Sequence, residues 1–146
     1  MVEQAKGRTA EKVVLVWVTN PYASENIAKA GRRLADENGL ELMIISIQDR
    51  IRNDWETKVN DLEQLHNSSR QVGAELTVIY ADNKIEAAAK TILDVKPKLM
   101  VTGIPGDVSR SAFLEQIRNI DPSIPVYTVD LNGNAVKIAG MQQAAL

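Results

Sequence analysis

The chain has 146 residues, 45% of them apolar and 25% charged, with a formal net charge of −2 and no cysteine. That length suits one domain with a sizeable core, and the composition argues against disorder. Slight acidity argues against a nucleic-acid-binding or polybasic membrane surface, and the lack of cysteine removes disulfides, thiolate chemistry and cysteine metal sites.

The longest apolar runs are strand-sized, so no transmembrane span is expected, and residues 1–10 lack the apolar centre of a signal peptide. The cysteine-free composition fits a reducing cytoplasm. Lys12 to Val18 is a continuous, valine-rich run, as expected of a strand buried on both faces. Ser24 suits the N-cap of a helix with Ile27, Ala30, Leu34 and Ala35 on its apolar face, and Asn38-Gly39 suits its end. Glu41 to Ile47 reads as a second buried strand. A longer helix is expected from Asp54 to Val72, with Trp55, Val59, Leu62, Leu65, Ser69 and Val72 along one side and Gly73 closing it.

Leu76 to Tyr80 reads as the third strand. Asn83, with Glu86 three residues on, resembles a capping box for a helix carrying Ile85, Ala89, Ile92 and Val95; Lys96-Pro97 ends that helix. Lys98 to Thr102 is the fourth expected strand. It opens into Gly103-Ile104-Pro105-Gly106, a turn that lets backbone N–H groups approach an anion. Ser109 or Ser111 can cap the next helix, which bears Phe113, Ile117 and Ile120 and is broken by Asp121-Pro122. Ile124 to Val129 is the fifth strand, and Asn132-Gly133 is a two-residue hairpin signal with Ala135 to Ile138 returning antiparallel. Strand starts fall roughly 25–35 residues apart, about one βα unit each. This alternation predicts a single α/β domain with a doubly wound parallel sheet of order 3-2-1-4-5 and an antiparallel carboxyl-terminal edge strand.

In such a sheet, ligands bind beyond the carboxyl ends of the strands where the strand order reverses. The loops expected there are Thr19 to Ser24, Ile47 to Asn53 and Gly103 to Ser111, so Thr19, Asn20, Ser24, Ile47, Gly103, Gly106, Ser109 and Ser111 are the candidate binding residues. Each also has a simpler role. The two glycines can serve a tight turn, the serines can be caps, and Asn20-Pro21 can be a turn. Arg50 and Arg52 could clamp an anion or be solvated, and Asp49 and Asp54 stand near the crevice without an evident partner. His66 is the only histidine, which excludes a metal site built from several; beside Trp55 and Val59 it reads as a partly buried structural residue. No nucleophile–base pair, acid/base carboxylate pair or Walker sequence stands out, so no catalytic residue is nominated. The acidic residues of a receiver domain, a serine-glycine-glycine pyrophosphatase loop and a dinucleotide fingerprint are all missing from the first turn.

Three pieces of the chain resemble the universal stress protein superfamily. Val13-Val14-Leu15-Val16-Trp17-Val18 followed by Ser24-Glu25 looks like its first strand and helix start. Gly73-Ala74-Glu75-Leu76-Thr77-Val78, followed by the Ile85 to Val95 helix, looks like its third strand and the helix leading to strand four. Ile124-Pro125-Val126-Tyr127-Thr128-Val129 resembles its last strand, and the likeness covers about residues 12–130. ATP-binding members carry an aspartate after strand one and a Gly-x2-Gly-x9-Gly-Ser/Thr motif after strand four. Here Thr19 holds the aspartate position, Gly103 and Gly106 match the first half, and Gln116 and Ile117 replace the second glycine and hydroxyl residue. The Ser109-Arg110-Ser111 turn and the Asn20-Pro21-x-x-Ser-Glu start look more like the stress-protein domain of potassium-sensing histidine kinases, some of which bind cyclic dinucleotides.

The resemblance implies a non-enzymatic regulatory domain that binds ATP, AMP or a cyclic dinucleotide in the crevice. The alternative is a dimeric interaction module without nucleotide binding, and slow nucleotide hydrolysis is a third, weaker reading. The family commonly forms homodimers through the edge of strand five. A hairpin over 126–138 would cover that edge here and force any homodimer onto the added strand or another face.

Overall fold

Val13–Trp17, strand β1, is buried at every residue and forms the middle of the sheet, as its unbroken apolar run requires. The computed structural model describes residues 13–18, 24–49, 55–103, 108–130 and 132–138. Within them β1 is followed by helix α1 (Ser24–Asn38), β2 (Glu41–Asp49), α2 (Trp55–Gln71), β3 (Glu75–Ala81), α3 (Lys84–Val95), β4 (Leu99–Gly103), α4 (Val108–Ile120), β5 (Val126–Val129) and β6 (Ala135–Lys137). The six strands form one sheet in the order β3-β2-β1-β4-β5-β6. The first five run parallel, and β6 returns antiparallel to β5 with Thr128 opposite Val136. The expected order and the antiparallel edge strand are both present.

The period-two alternation of the strands sorts the core into two layers. Val14, Val16 and Val18 pack with Leu42 and Ile44 under α1 and α2, through Ile27, Ala30, Leu34 and Leu65. Leu15, Trp17, Ile45 and Met100 pack on the opposite face under α3 and α4, through Ala88, Ile92 and Ile117. Right-handed crossovers that first step one way from β1 and then the other place the helix pairs on opposite faces. Trp17 is a core residue. Its indole Nε1 donates to Met100 Sδ at 3.3 Å, and its ring meets Phe113 edge-on at 6.0 Å.

The helix ends follow their residues closely. Gly39 and Gly73 lie at φ 66° and 64°. Each carries a double closure: Leu40 N–H to Ala35 carbonyl with Gly39 N–H to Asp36, and Ala74 N–H to Ser69 with Gly73 N–H to Arg70. This is the Schellman arrangement that glycine favours. Asn83 caps α3 by accepting from the Glu86 N–H at 3.1 Å. At the other end Lys96 takes the left-handed conformation and donates its N–H to Ile92, so the chain leaves the helix one residue before Pro97.

Several expectations need correction. His66 is exposed, and Val59 is 53% exposed, so the apolar side of α2 is narrower than the sequence stripe suggested. Among the described side chains of α2 the buried ones are Leu65, Ser68 and Ser69. Ser69 bonds the His66 carbonyl from within the helix, which lets a hydroxyl enter the packed face. Ser24 is the first residue of α1 rather than the residue before it. Ser109 and Ser111 also lie inside the first turn of α4, which starts at Val108, so neither occupies its cap position. The β5–β6 connection is longer than two residues. Asp130 N–H donates to the Asn134 carbonyl and Gly133 N–H to the Asp130 carbonyl, bracketing residues 131–133.

Candidate functional site

Strand order reverses between β1 and β4: β2 and β3 extend to one side and β5 and β6 to the other. Chain connections leave a crevice at such a point, beyond the carboxyl ends of the strands. The described floor is Trp17 beside Ile45 and Thr102, with Gly103 beside Val129. Val18 continues the alignment by donating its N–H to the Ile45 carbonyl at 2.9 Å. Ile47 lies two residues farther along β2. It is buried in the α3/α4 layer as part of the core.

Of the eight candidate residues, Thr19, Asn20 and Gly106 lie outside the described residues, as do Arg50, Arg52 and Asp54. Ser109 and Ser111 fall in the first turn of α4, and Asp49 is the last residue of β2. Ser24 has another task. It is buried, and its hydroxyl lies 2.6 Å from that of Ser68 on α2. Ser68 also donates to the Gln64 carbonyl at 3.0 Å, within its own helix. The Ser24–Ser68 bond pins the start of α1 to α2.

Gly103 is explained by packing. A Cβ there would stand 2.9 Å from Ile27 Cδ1, so glycine lets α1 lie close over β4. Gly31 has the same role more strictly, because its Cβ would meet Val16 Cγ2 at 2.6 Å. Both glycines thus seat α1 against the strands whose ends form the crevice.

The buried polar residues of the described strands, Ser46 and Thr102, both lie toward this end of the sheet. Ser46 is fully buried and accepts a hydrogen bond from Gln48 Nε2 at 2.7 Å. Thr102 is buried next to Gly103. The rim beyond β5 is an ordered turn. The Asp130 carboxylate accepts from the backbone N–H groups of Asn132 and Asn134 at 2.9 Å and from Asn134 Nδ2 at 3.3 Å. The Asn134 N–H is the largest of the causes that hold Asp130 below the usual carboxylate range. Sequence reading missed Ser46, Ser68 and Gly31. The available signal was hydroxyl or glycine residues interrupting apolar periodicity, which propensity alone treats as neutral.

Among the described residues no group of three or more histidine, aspartate or glutamate side chains could hold a metal, and no helix is long and apolar enough to cross a membrane.

The sequence matches no family model and no curated protein. Solved structures of the same fold do exist. A universal stress protein in complex with cAMP aligns with TM-score 0.58 at 13% identity, over 82% of this chain and 98% of that one. The Archaeoglobus fulgidus universal stress protein in complex with dAMP aligns with TM-score 0.60 at 14% identity, over 82% and 98%. GalB, the 4-carboxy-2-hydroxymuconate hydratase of Pseudomonas putida KT2440, aligns with TM-score 0.61 at 12% identity, over 80% of this chain and 65% of that one. The chain has the fold of the universal stress proteins, an α/β sheet that enzymes share as well.

Proposed function

We propose that this chain is a non-catalytic regulatory domain that binds an adenine nucleotide beyond the carboxyl ends of β1 and β4. The observation that carries the reading is the reversal of strand order at those two strands. Two proteins of the same fold, of which this chain covers nearly the full length, hold cAMP and dAMP. The polar residues Ser46 and Thr102 at that end of the sheet support the reading further.

In this account Ile47 supplies the apolar floor for the base. Thr19 and Asn20 approach from the β1–α1 connection. Gly106 lets backbone N–H groups reach a phosphate, and Ser109 and Ser111 add hydroxyls at the start of α4, where the helix dipole favours an anion. With Gln116 and Ile117 in place of glycine and a hydroxyl residue, the cradle suits one phosphate group better than a triphosphate. Ile117 is fully buried, so its position serves the core.

Thermal unfolding with AMP, cAMP, ATP and cyclic di-AMP tests the reading. A ligand at a hundred times its Kd stabilises the native state by about 2.7 kcal/mol. A rise in midpoint with AMP or cAMP is expected, reduced in Gly106→Val. No rise with any of the four at millimolar concentration contradicts it and favours a ligand-free interaction module.

A further inference from the structure

β3 is an outer strand of the sheet, and among the described residues nothing pairs with its side away from β2. Such an edge is a template for another strand, and proteins ordinarily blunt it with lysine, proline, bulges or shortness. The opposite edge has that protection, since β6 is three residues long and carries Lys137. β3 has none of it. It runs for seven residues, with Thr77-Val78-Ile79-Tyr80 toward its end and Glu75 as its only charge. The helix above continues the same edge. At about 100° per residue, Ser68 is turned from Leu65 toward α1, where it meets Ser24. Val59, Glu63, His66 and Arg70, spaced four, three and four apart, fall together on the other flank of α2, over the β3 edge. All four are exposed, Val59 by 53%. Leu76 packs into the α1/α2 layer, so alternation places Tyr80, 40% exposed, on the α2 face of the strand as well.

We propose that the β3 edge and this flank of α2 form a self-association surface, occupied by a second copy of the chain with the two β3 strands antiparallel. A two-fold axis through Val78 makes the contact closed and self-complementary. It sets Leu76 opposite Tyr80 of the second copy and Thr77 opposite Ile79, apolar and β-branched pairs that suit a ladder. Glu75 then faces Ala81 rather than another acid. The charges on the helix select the same occupant. Val78 lies about 10 Å along β3 from Glu75, and an equal rise back along α2 from Gln71 reaches the turn of Glu63 and His66. The axis therefore brings the two α2 helices side by side and antiparallel, with Glu63 opposite His66 of the second copy and Val59 opposite its Arg70. Each Glu63 carboxylate accepts from the other copy's imidazole N–H, and each Arg70 stem covers a Val59. An acid, an imidazole and a guanidinium on one stripe thus meet their complements only when the stripe meets itself reversed.

Sedimentation equilibrium of the full chain from micromolar to millimolar concentration tests this, for the wild type, Glu63→Lys, His66→Glu and the double variant. The wild type should reach twice the chain mass and stop there. Glu63→Lys sets two donors opposite one another and His66→Glu two carboxylates. Either should weaken dimerisation by about tenfold, because the contact is made twice. The double variant exchanges the two roles and should regain the lost affinity. In the wild type, amide exchange over Glu75–Ala81 should slow as concentration rises, while Ala135–Lys137 stays as it was. A chain that remains monomeric at millimolar concentration overturns the proposal, as does a dimer indifferent to both single changes or a double variant no tighter than the singles. Concentration-dependent protection of Ala135–Lys137 instead moves the contact to the other edge and overturns it too.

Discussion

Arg33 on α1 donates from Nη2 to the carbonyl of Gly133 at 2.8 Å, tying the first helix to the turn between the last two strands across 100 residues of sequence. The turn also rests near Asn26, whose Cγ lies 3.9 Å from where a Gly133 Cβ would be. The rim of the crevice beyond β5 is thus held both by its own Asp130 network and by α1.

Arg33→Ala should leave the fold intact and lower stability by less than about 1 kcal/mol, because the bond is at the surface. Its local effect should be larger. Amide hydrogen exchange at Asp130 and Ile138, which donate across the β5–β6 ladder, should accelerate in the variant, while exchange at Val18 stays as it was. Equal protection of Asp130 and Ile138 in both proteins would mean the hairpin holds without α1.

Gly31→Ala tests the close approach of α1 to the sheet. Alanine in a helix interior gains about 1 kcal/mol over glycine. Against that, the new methyl would lie 2.6 Å from Val16 Cγ2 and 3.1 Å from Leu42 Cδ1, and Val16 is fully buried and stiff at χ1. Overpacking of this kind costs about 1–3 kcal/mol, so the variant should be the less stable protein by about 1 kcal/mol in urea unfolding. A stabilised Gly31→Ala would show that α1 can lift off the strands at little cost.

Asp130 makes part of the stability pH-dependent. Its carboxyl is held below its ordinary range by the Asn134 and Asn132 donors. A group with a depressed folded pKa contributes stability above its unfolded pKa, and that contribution is lost as the pH falls through the folded value. Asp130→Asn keeps an acceptor in the turn but cannot titrate. The gap in thermal midpoint between wild type and variant should therefore be present at neutral pH and close on the acid side of the ordinary aspartate range. A gap that stays constant down to strong acid would contradict the turn network.

The antiparallel β6 covers the edge of β5, through Tyr127 opposite Lys137 and Val129 opposite Ala135. Deleting residues 132–146 should expose that edge and raise the mass found by light scattering. An unchanged mass with retained helix and strand content would show that the tail does not govern assembly.

The fold was legible because local signals agreed with one another. Val13 to Val18 is apolar at every position, as only a strand covered on both sides can be, and Gly39, Gly73 and Asn83 mark helix ends by their own chemistry. The errors arose where tertiary contacts decide. His66 sits on the expected apolar stripe of α2, yet the helix buries a face centred on Leu65, Ser68 and Ser69. Ser24 carries the signature of a cap but meets Ser68, 44 residues away, and no local pattern announces that partner. Gly103 was legible as glycine but not in its reason, which is the Ile27 side chain above it.

The most direct test of the nucleotide-binding account is a proton–nitrogen NMR titration of the chain with AMP. Saturable shifts should concentrate on the amides of Val18, Ile47, Gln48, Thr102, Gly103 and the first turn of α4, at the carboxyl end of the sheet. The opposite end, Glu41, Ala74 and Lys98, should stay still. Shifts confined to that opposite end, or none at millimolar AMP, would contradict the account.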